Sequence, residues 1–342
     1  MSDIIGLDVG VGSIKAVVLS KSDKGFSLAA IGESRTPRVD WIKGANKKKS
    51  MEEMVKNVKT LIGELKVKTK KVITCLPEDE VVSRLIRLPP LKENEVMDAL
   101  KYEAETFVPY PIEEVSIDYE VVEQDESGRL AVFAIAARNE LIQSYVKLVK
   151  SVGLELMALE SPAISVRRVI ASTVPLTSGV IVVDMGEKYS DIIAINKGNI
   201  YFTRSMSVGG ESLTRAISIN LGLDMASAEE YKKAYGMKET ELEGKIKVAI
   251  EPVFANMAEE LRKAMALFSE EQRKPVDLLV LSGGGSNLPG LAEALTRTLG
   301  VEVQIIQPFM KVDTSRVNLP FDLKNEACRF SIAVGLAMRG EQ

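Results

Sequence analysis

The chain has 342 residues, enough for two to three domains with sizeable cores, and its 46% apolar and 27% charged residues are those of an ordinary globular protein. A net charge of −4 argues against a general nucleic-acid binder. Histidine is absent, which excludes imidazole catalysis and His-ligated metals, and Cys75 and Cys328 have no neighbour at metal-ligand spacing, so they read as free buried thiols of a reducing compartment.

Residues 4–19, IIGLDVGVGSIKAVVL, run apolar, then Asp8-Val9-Gly10, then a short polar turn, then apolar again. This is a β-hairpin with a carboxylate at its tip. Residues 26–33 continue the sheet after a turn at Lys24-Gly25. The basic stretch 43–49 reads as a solvated loop. Met54, Val58, Leu61, Ile62 and Leu65 have helical spacing across 51–65, and 72–76 is a short buried strand ended by Pro77. A βαββα pattern follows over 81–153: a strand at 81–88 stopped by Pro89-Pro90, an amphipathic helix at 93–107, strands at 115–122 and 130–137, and a helix at 139–151 stopped by Gly153. It reads as a self-contained α/β insert.

The second half repeats the plan of the first. Residues 180–195, VIVVDMGEKYSDIIAI, carry Asp184-Met185-Gly186 where the first hairpin carries Asp8-Val9-Gly10. Strands are expected at 179–185, 191–196 and 199–207, and helices at 211–221, 226–235 and 252–269. The last of these has Phe254, Met257, Leu261, Met265 and Phe268 on or near one face. A buried strand at 277–282 runs through Gly283-Gly284-Gly285 into a helix from about Gly290 to Leu299, and an apolar helix at 327–339 closes the chain. No apolar run approaches the roughly 20 residues that span a bilayer. Strand-like residues begin right after Asp3, so neither a membrane span nor a signal peptide is expected, and the protein reads as cytoplasmic.

Three glycine-rich turns can form one site. In DVGVGSIK, Gly10 and Gly12 let the backbone approach a ligand, Ser13 can donate its hydroxyl and Lys15 can reach an anion. Asp184 and Gly186 make the second turn, with Ser190 and Asp191 nearby, and SGGGSNLPG at 282–290 makes the third. Exposed backbone N–H groups in such turns stabilise phosphate oxygens. Carboxylates at both tips would repel a bare triphosphate, but they suit a hydrated Mg²⁺ held between Asp8, Asp184 and the phosphates. Each turn alone is also an ordinary hairpin or loop, and neither the dinucleotide fingerprint nor a Walker-type Gly-Lys-Ser/Thr is present.

The order hairpin, insert, matching hairpin, helical segment and glycine-rich turn resembles the actin, Hsp70 and sugar-kinase superfamily over nearly the whole chain. On that resemblance the fold is α/β and actin-like, two lobes of duplicated ribonuclease-H-like plan with a small insert in the first. DVGVGSIK matches the first phosphate loop, DMGEKYSD the second, and SGGGSNLPG, with Gly283, Gly284, Gly285 and Asn287, the adenosine loop. AEEYKKAYG at 228–236 resembles the helix that holds ribose and adenine, with Glu229 on the ribose and Lys232 along the base. The alternative for that pair is a solvated helix face. The insert selects the branch shared by the cell-division protein FtsA and the type IV pilus protein PilM. LPPLKENEVMDALKYEAETFVPYPIEEVSIDYEV at 88–121 and MSVGGESLTRAISINLGLDMASAEEYKKAYG at 206–236 are similar to the PilM family. FtsA proteins usually continue into a membrane-binding helix, whereas this sequence stops at Glu341-Gln342, which favours PilM.

The PilM resemblance implies a cytoplasmic, ATP- and Mg²⁺-binding scaffold of the type IV pilus assembly machinery. It implies peripheral attachment to the inner membrane through the N-terminal cytoplasmic peptide of a PilN-type protein, further pilus components as partners and room for self-association. It divides the chain into a first domain (1–80, 154–175 and 326–342), an insert (81–153), a second domain (176–211 and 276–325) and a helical subdomain (212–275). It places the peptide groove near Leu88, Pro89, Phe107, Pro109 and Tyr110, although Leu88 and Phe107 also read as insert core. Glu160, in the Glu-Ser-Pro expected to begin a helix, is near where hydrolysing relatives position water, but also reads as a carboxylate meeting the helix dipole. Hydrolysis is therefore expected to be slow at best. An FtsA-like filament protein and, more remotely, a small-molecule kinase using Asp184 are the competing readings.

Overall fold

The apolar runs flanking Asp8-Val9-Gly10 become β1 (Asp3–Val9) and β2 (Ser13–Ser22), paired antiparallel with Asp8 opposite Lys15. Ile4, Ile5 and Leu7 are buried on both faces of β1, as expected for a central strand. β3 (Gly25–Arg35) continues the meander, α1 (Lys47–Glu64) crosses over, and β4 (Lys71–Cys75) returns parallel to β1. These positions come from a computed structural model describing residues 3–23, 25–44, 46–175, 179–317, 319 and 322–340. The expected turn residue Lys24 and the chain end at Glu341-Gln342 lie outside the described residues. Part of the basic stretch expected as loop is helical: Lys47–Lys49 form the first turn of α1, drawn in by the buried stripe Ser50, Met51, Met54, Val58 and Leu61 that follows.

The strands β5 (Val81–Leu88), β6 (Val115–Gln124) and β7 (Leu130–Arg138) make a separate antiparallel sheet in the order β5-β7-β6, with α2 (Glu93–Ala104) between the first two in sequence. Val96 and Leu100 of α2 pack on Ile86, Leu88, Leu130 and Val132. The expected fifth element, α3 (Asn139–Val152), is helical but packs elsewhere. Leu141, Tyr145, Leu148 and Val149 join Ile5, Leu7, Met54 and Val58 in the core of the first sheet, where the Tyr145 ring lies 5.0 Å from that of Trp41. A strand not expected from the sequence, β8 (Glu155–Glu160), then pairs parallel with β4. α4 (Pro162–Thr173) follows, capped by Ser161 Oγ accepting from the Ala163 N–H, with Pro162 at its first position.

The second sheet is built the same way. β9 (Gly179–Met185), β10 (Ser190–Asn196) and β11 (Asn199–Met206) form the meander. α5 (Gly210–Leu221), α6 (Met225–Tyr235) and α7 (Lys245–Gln272) form the helical segment. α7 starts at Lys245, about two turns before the expected Pro252, because Ile246, Ala249 and Ile250 extend its buried stripe and their burial outweighs the hydrogen bond the proline removes. β12 (Leu278–Ser282), α8 (Leu291–Leu299) and β13 (Glu302–Ile305) complete the order β11-β10-β9-β12-β13, the counterpart of β3-β2-β1-β4-β8.

The chain returns to the first sheet earlier than expected, since β14 (Val312–Asp313) pairs with β3. After α9 (Leu323–Glu326), α10 (Ser331–Met338) lies beside α4 in a core that draws Val17, Leu19 and Leu28 from one sheet and Val180, Val182 and Ile193 from the other. Two glycines permit that packing. A Cβ on Gly6 would fall 2.0 Å from the Ala333 carbonyl oxygen, and one on Gly335 would fall 2.1 Å from that of Ser165. The expected α/β, actin-like architecture is the one the chain adopts.

Candidate functional site

The two Asp-x-Gly turns share one geometry. A Cβ on Gly10 would meet the Ser13 carbonyl oxygen at 2.9 Å, and one on Gly186 would meet that of Tyr189 at the same 2.9 Å. Asp8 and Asp184 each stand one residue before the end of their strand. The third turn docks onto the second: β12 runs parallel to β9 with Ser282 opposite Asp184, and Ser282 Oγ donates to Asp184 Oδ1 at 2.6 Å. Gly283 turns the chain there with φ +81°, a conformation that favours glycine, and a Cβ on it would fall 2.6 Å from the Met185 carbonyl oxygen. Gly284, Gly285 and Asn287 continue as a single 3₁₀ turn, with Asn287 Oδ1 accepting from Cys328 Sγ at 3.0 Å. The first and second turns also meet, through Gly12 and Glu187. All three expected turns therefore converge.

Their carboxylates are poorly accommodated. Asp8 is 7% exposed, and its pKa is pushed up to about 6, mainly by burial. Lys15, 3.8 Å away, opposes that shift, while Asp184 and Glu33 add to it. Burial likewise raises Asp184, against the Ser282 hydrogen bond and the Lys15 charge. Two further acidic residues lie near the tips. Glu78, which nothing in the stretch Pro77-Glu78-Asp79-Glu80 marks as buried, accepts from Ser161 Oγ at 2.6 Å and is raised by burial. Asp191, opposite Asp184 on β10 and bonded to Ser205, is raised by burial and by Glu78. Among the described residues no three acidic or thiol side chains converge to hold a metal. Asp8 and Asp184 could hold a cation only together with waters and an anionic ligand, which is the habit of Mg²⁺ rather than of Ca²⁺ in a protein cage.

Glu229 and Lys232 are a half-buried pair that ties two helices together. Lys232 is half-buried; its Nζ lies 2.6 Å from Glu229 Oε2 and donates to the Gly210 carbonyl at 3.0 Å and to Thr214 Oγ1 at 2.9 Å, binding α6 to the start of α5. Glu160 ends β8 rather than beginning a helix. Its buried carboxylate takes a bidentate contact from Arg168, at 2.9 and 3.1 Å, and a third bond from Arg339 at 3.0 Å. With both oxygens engaged, it joins the end of β8 to α4 and to the residue following α10.

The five expected groove residues do not form one surface. Leu88 is core of the three-stranded sheet, 3% exposed, and pairs with Leu130 at the end near exposed Pro89. Val81 pairs with Ala137 at the other end of β5, where Tyr110 lies under Arg138, 5.3 Å from guanidinium carbon to ring centre. Seven residues of extended strand, about 23 Å, separate the two ends. Phe107 sits between them, half-buried with Arg84 over its ring at 5.3 Å, and Pro109 and Tyr110 are exposed. Arg138 Nη2 donates to Glu80 at 2.9 Å, so the Tyr110 end is the one joined to the first sheet's domain.

A family model described as type IV pilus assembly protein PilM matches residues 6–341. Among solved structures, a PilM–PilN type IV pilus biogenesis complex contains a chain similar to this one, with 27% identity, a TM-score of 0.86 and coverage of 100% of this chain and 99% of that one. The cell division protein FtsA of Enterococcus hirae is 22% identical over 344 residues, covering 89% of this chain and 78% of that protein. An MreB of Spiroplasma citri solved with AMPPNP shares the fold, with a TM-score of 0.55, 14% identity and coverage of 98% and 95%. Among the described residues no helix is long and apolar enough to cross a membrane.

Proposed function

This chain belongs to the PilM family of type IV pilus assembly proteins, and we propose that within it the chain acts as a nucleotide-responsive scaffold. It binds Mg-ATP at the three converging turns and captures the N-terminal cytoplasmic peptide of a PilN-type inner-membrane protein beside the three-stranded sheet. The observation that carries the nucleotide reading is the matched pair of Asp-x-Gly turns, which present one buried and one half-buried carboxylate, both unfavourably charged, beside glycine backbone. An anion alone would worsen that arrangement and a cation alone would lack ligands; a metal–phosphate ion pair satisfies both.

In this reading the backbone N–H groups of Gly10, Gly12 and Ser13 stabilise phosphate oxygens, Gly186, whose N–H donates to the Tyr189 carbonyl, leaves room for them beside its turn, and Lys15 adds positive charge. Asp8 and Asp184 orient the waters of a bound Mg²⁺, which neutralises phosphate charge. Gly283, Gly284, Gly285 and Asn287 border the nucleoside, with Glu229 and Lys232 holding the helices on its other side. Glu160 serves as a structural anchor instead of positioning water, so nucleotide works as a conformational effector with slow turnover at best. In this reading attachment at the inner membrane runs through the peptide, with the protein on the cytoplasmic side. The similarity to a PilM–PilN complex supports the choice of partner.

We expect Asp184→Ala to abolish Mg-ATP binding while circular dichroism stays that of the wild type. An unchanged calorimetric affinity would remove Asp184 from the site.

A further inference from the structure

We propose that Glu187 is a built-in occupant of the phosphate site, a carboxylate that stands in for an incoming phosphate and must swing aside before nucleotide binds. The inference rests on the nucleotide reading of the three turns. Glu187 directly follows Gly186 in the second turn, yet its side chain crosses to the first. A Cβ on Gly12 would fall 1.9 Å from Glu187 Oε2 and 3.0 Å from its Cδ, so the carboxylate fills the space that the glycine leaves open. Oε1 of the same carboxylate lies 3.9 Å from Arg38 Nη2, also of the first half.

The backbone of Glu187 is fixed and its side chain is not. Its carbonyl accepts from the Glu211 N–H at 2.8 Å, at the start of α5, which pins the residue. The side chain is 37% exposed, so rotating it outward exposes little new surface and loses only a long, solvated ion pair. A flexible carboxylate is thus seated against the glycine turn that a phosphate would use, at the end of a rotor anchored in the other lobe. Both bring oxygen atoms and negative charge to the same backbone, so they exclude each other by volume and by repulsion.

Two consequences follow. With Glu187 in this position the two turns meet through a carboxylate, so nucleotide binding replaces one bridging anion with another. Affinity for nucleotide is also set below what the turns alone would give, because each binding event must displace the carboxylate.

The test is calorimetric titration of the wild type, Glu187→Ala and Glu187→Gln with Mg-ATP and with Mg-ADP. Glu187→Ala should bind Mg-ATP about tenfold more tightly than the wild type, with Glu187→Gln, which keeps the volume and loses the charge, in between. The gain should be larger for Mg-ATP than for Mg-ADP, whose phosphate charge is smaller. If the wild type binds Mg-ATP and both variants bind it no more tightly, the surrogate role is wrong and the nucleotide reading stands. If none of the three binds Mg-ATP, the nucleotide reading falls and this inference falls with it.

Discussion

Asp8 is a carboxylate that folding makes harder to ionise. Its pKa rises from an ordinary 3.8 to about 6 because burial outweighs the pull of Lys15. Between those two values the native protein holds a proton that the unfolded chain has released, so stability falls as pH rises. The penalty is absent below 3.8 and complete above about 6, where it amounts to roughly 3 kcal/mol. Asp8→Asn should therefore melt at a higher temperature than the wild type at pH 7.5 in the absence of nucleotide. That advantage should shrink as pH falls through 6 towards 4, as thermal unfolding followed by circular dichroism across that range would report. An advantage independent of pH would mean that Asp8 is not held protonated by its surroundings. At this scale the sequence made Asp8, Asp184 and the glycines around them legible, because turn chemistry is local. It did not reveal Glu160, Glu187 or Lys232 in their actual contacts, since a salt bridge to Arg339 or a reach to Gly12 depends on how distant segments pack.

Among the elements, most strands and helices could be read from apolar spacing, and the exceptions have specific causes. β8 is a short edge strand at Glu155–Glu160 whose exposed and half-buried residues give little apolar signal. α3 has the amphipathic pattern of the insert it follows, and only packing shows that its apolar face belongs beside α1. α7 runs through a proline that local rules treat as a boundary. The expected peptide groove was limited in the same way, because the PilM resemblance put Leu88 and Tyr110 in one groove while the antiparallel register puts them at opposite ends of a strand pair. The part that survives as a surface is Phe107, Pro109 and Tyr110 with the two arginines over their rings. Truncating Phe107 to Ala removes a half-buried aromatic face and the partner of Arg84. It should weaken capture of a PilN-type peptide by about tenfold, as an aromatic anchor typically does. Fluorescence anisotropy with labelled peptide measures this, and an unchanged affinity in a folded variant would put the groove elsewhere.

Across the whole molecule, the repeated Asp-x-Gly hairpins proved to be the visible ends of two sheets that share a five-strand order, with β14 added at the edge of the first. α4 and α10 pack between those sheets in a core drawn from both, while the carboxylates at the tips face a shared space. The three-stranded sheet touches the second half as well as the first: Ser83 on β5 is 2.7 Å from Thr203 on β11, and Arg167 on α4 pairs with Glu120 on β6 at 2.7 Å. A ligand that draws the two tips together therefore acts on elements that also hold the proposed peptide surface. Occupancy of the cleft should alter peptide affinity, and by linkage the peptide should alter nucleotide affinity by the same factor. The most direct test is titration of the purified protein with a labelled N-terminal peptide of a PilN-type protein, with and without Mg-ATP. The account predicts saturable binding whose affinity differs between the two conditions. No saturable binding in either, or one affinity unaltered by Mg-ATP, would contradict it.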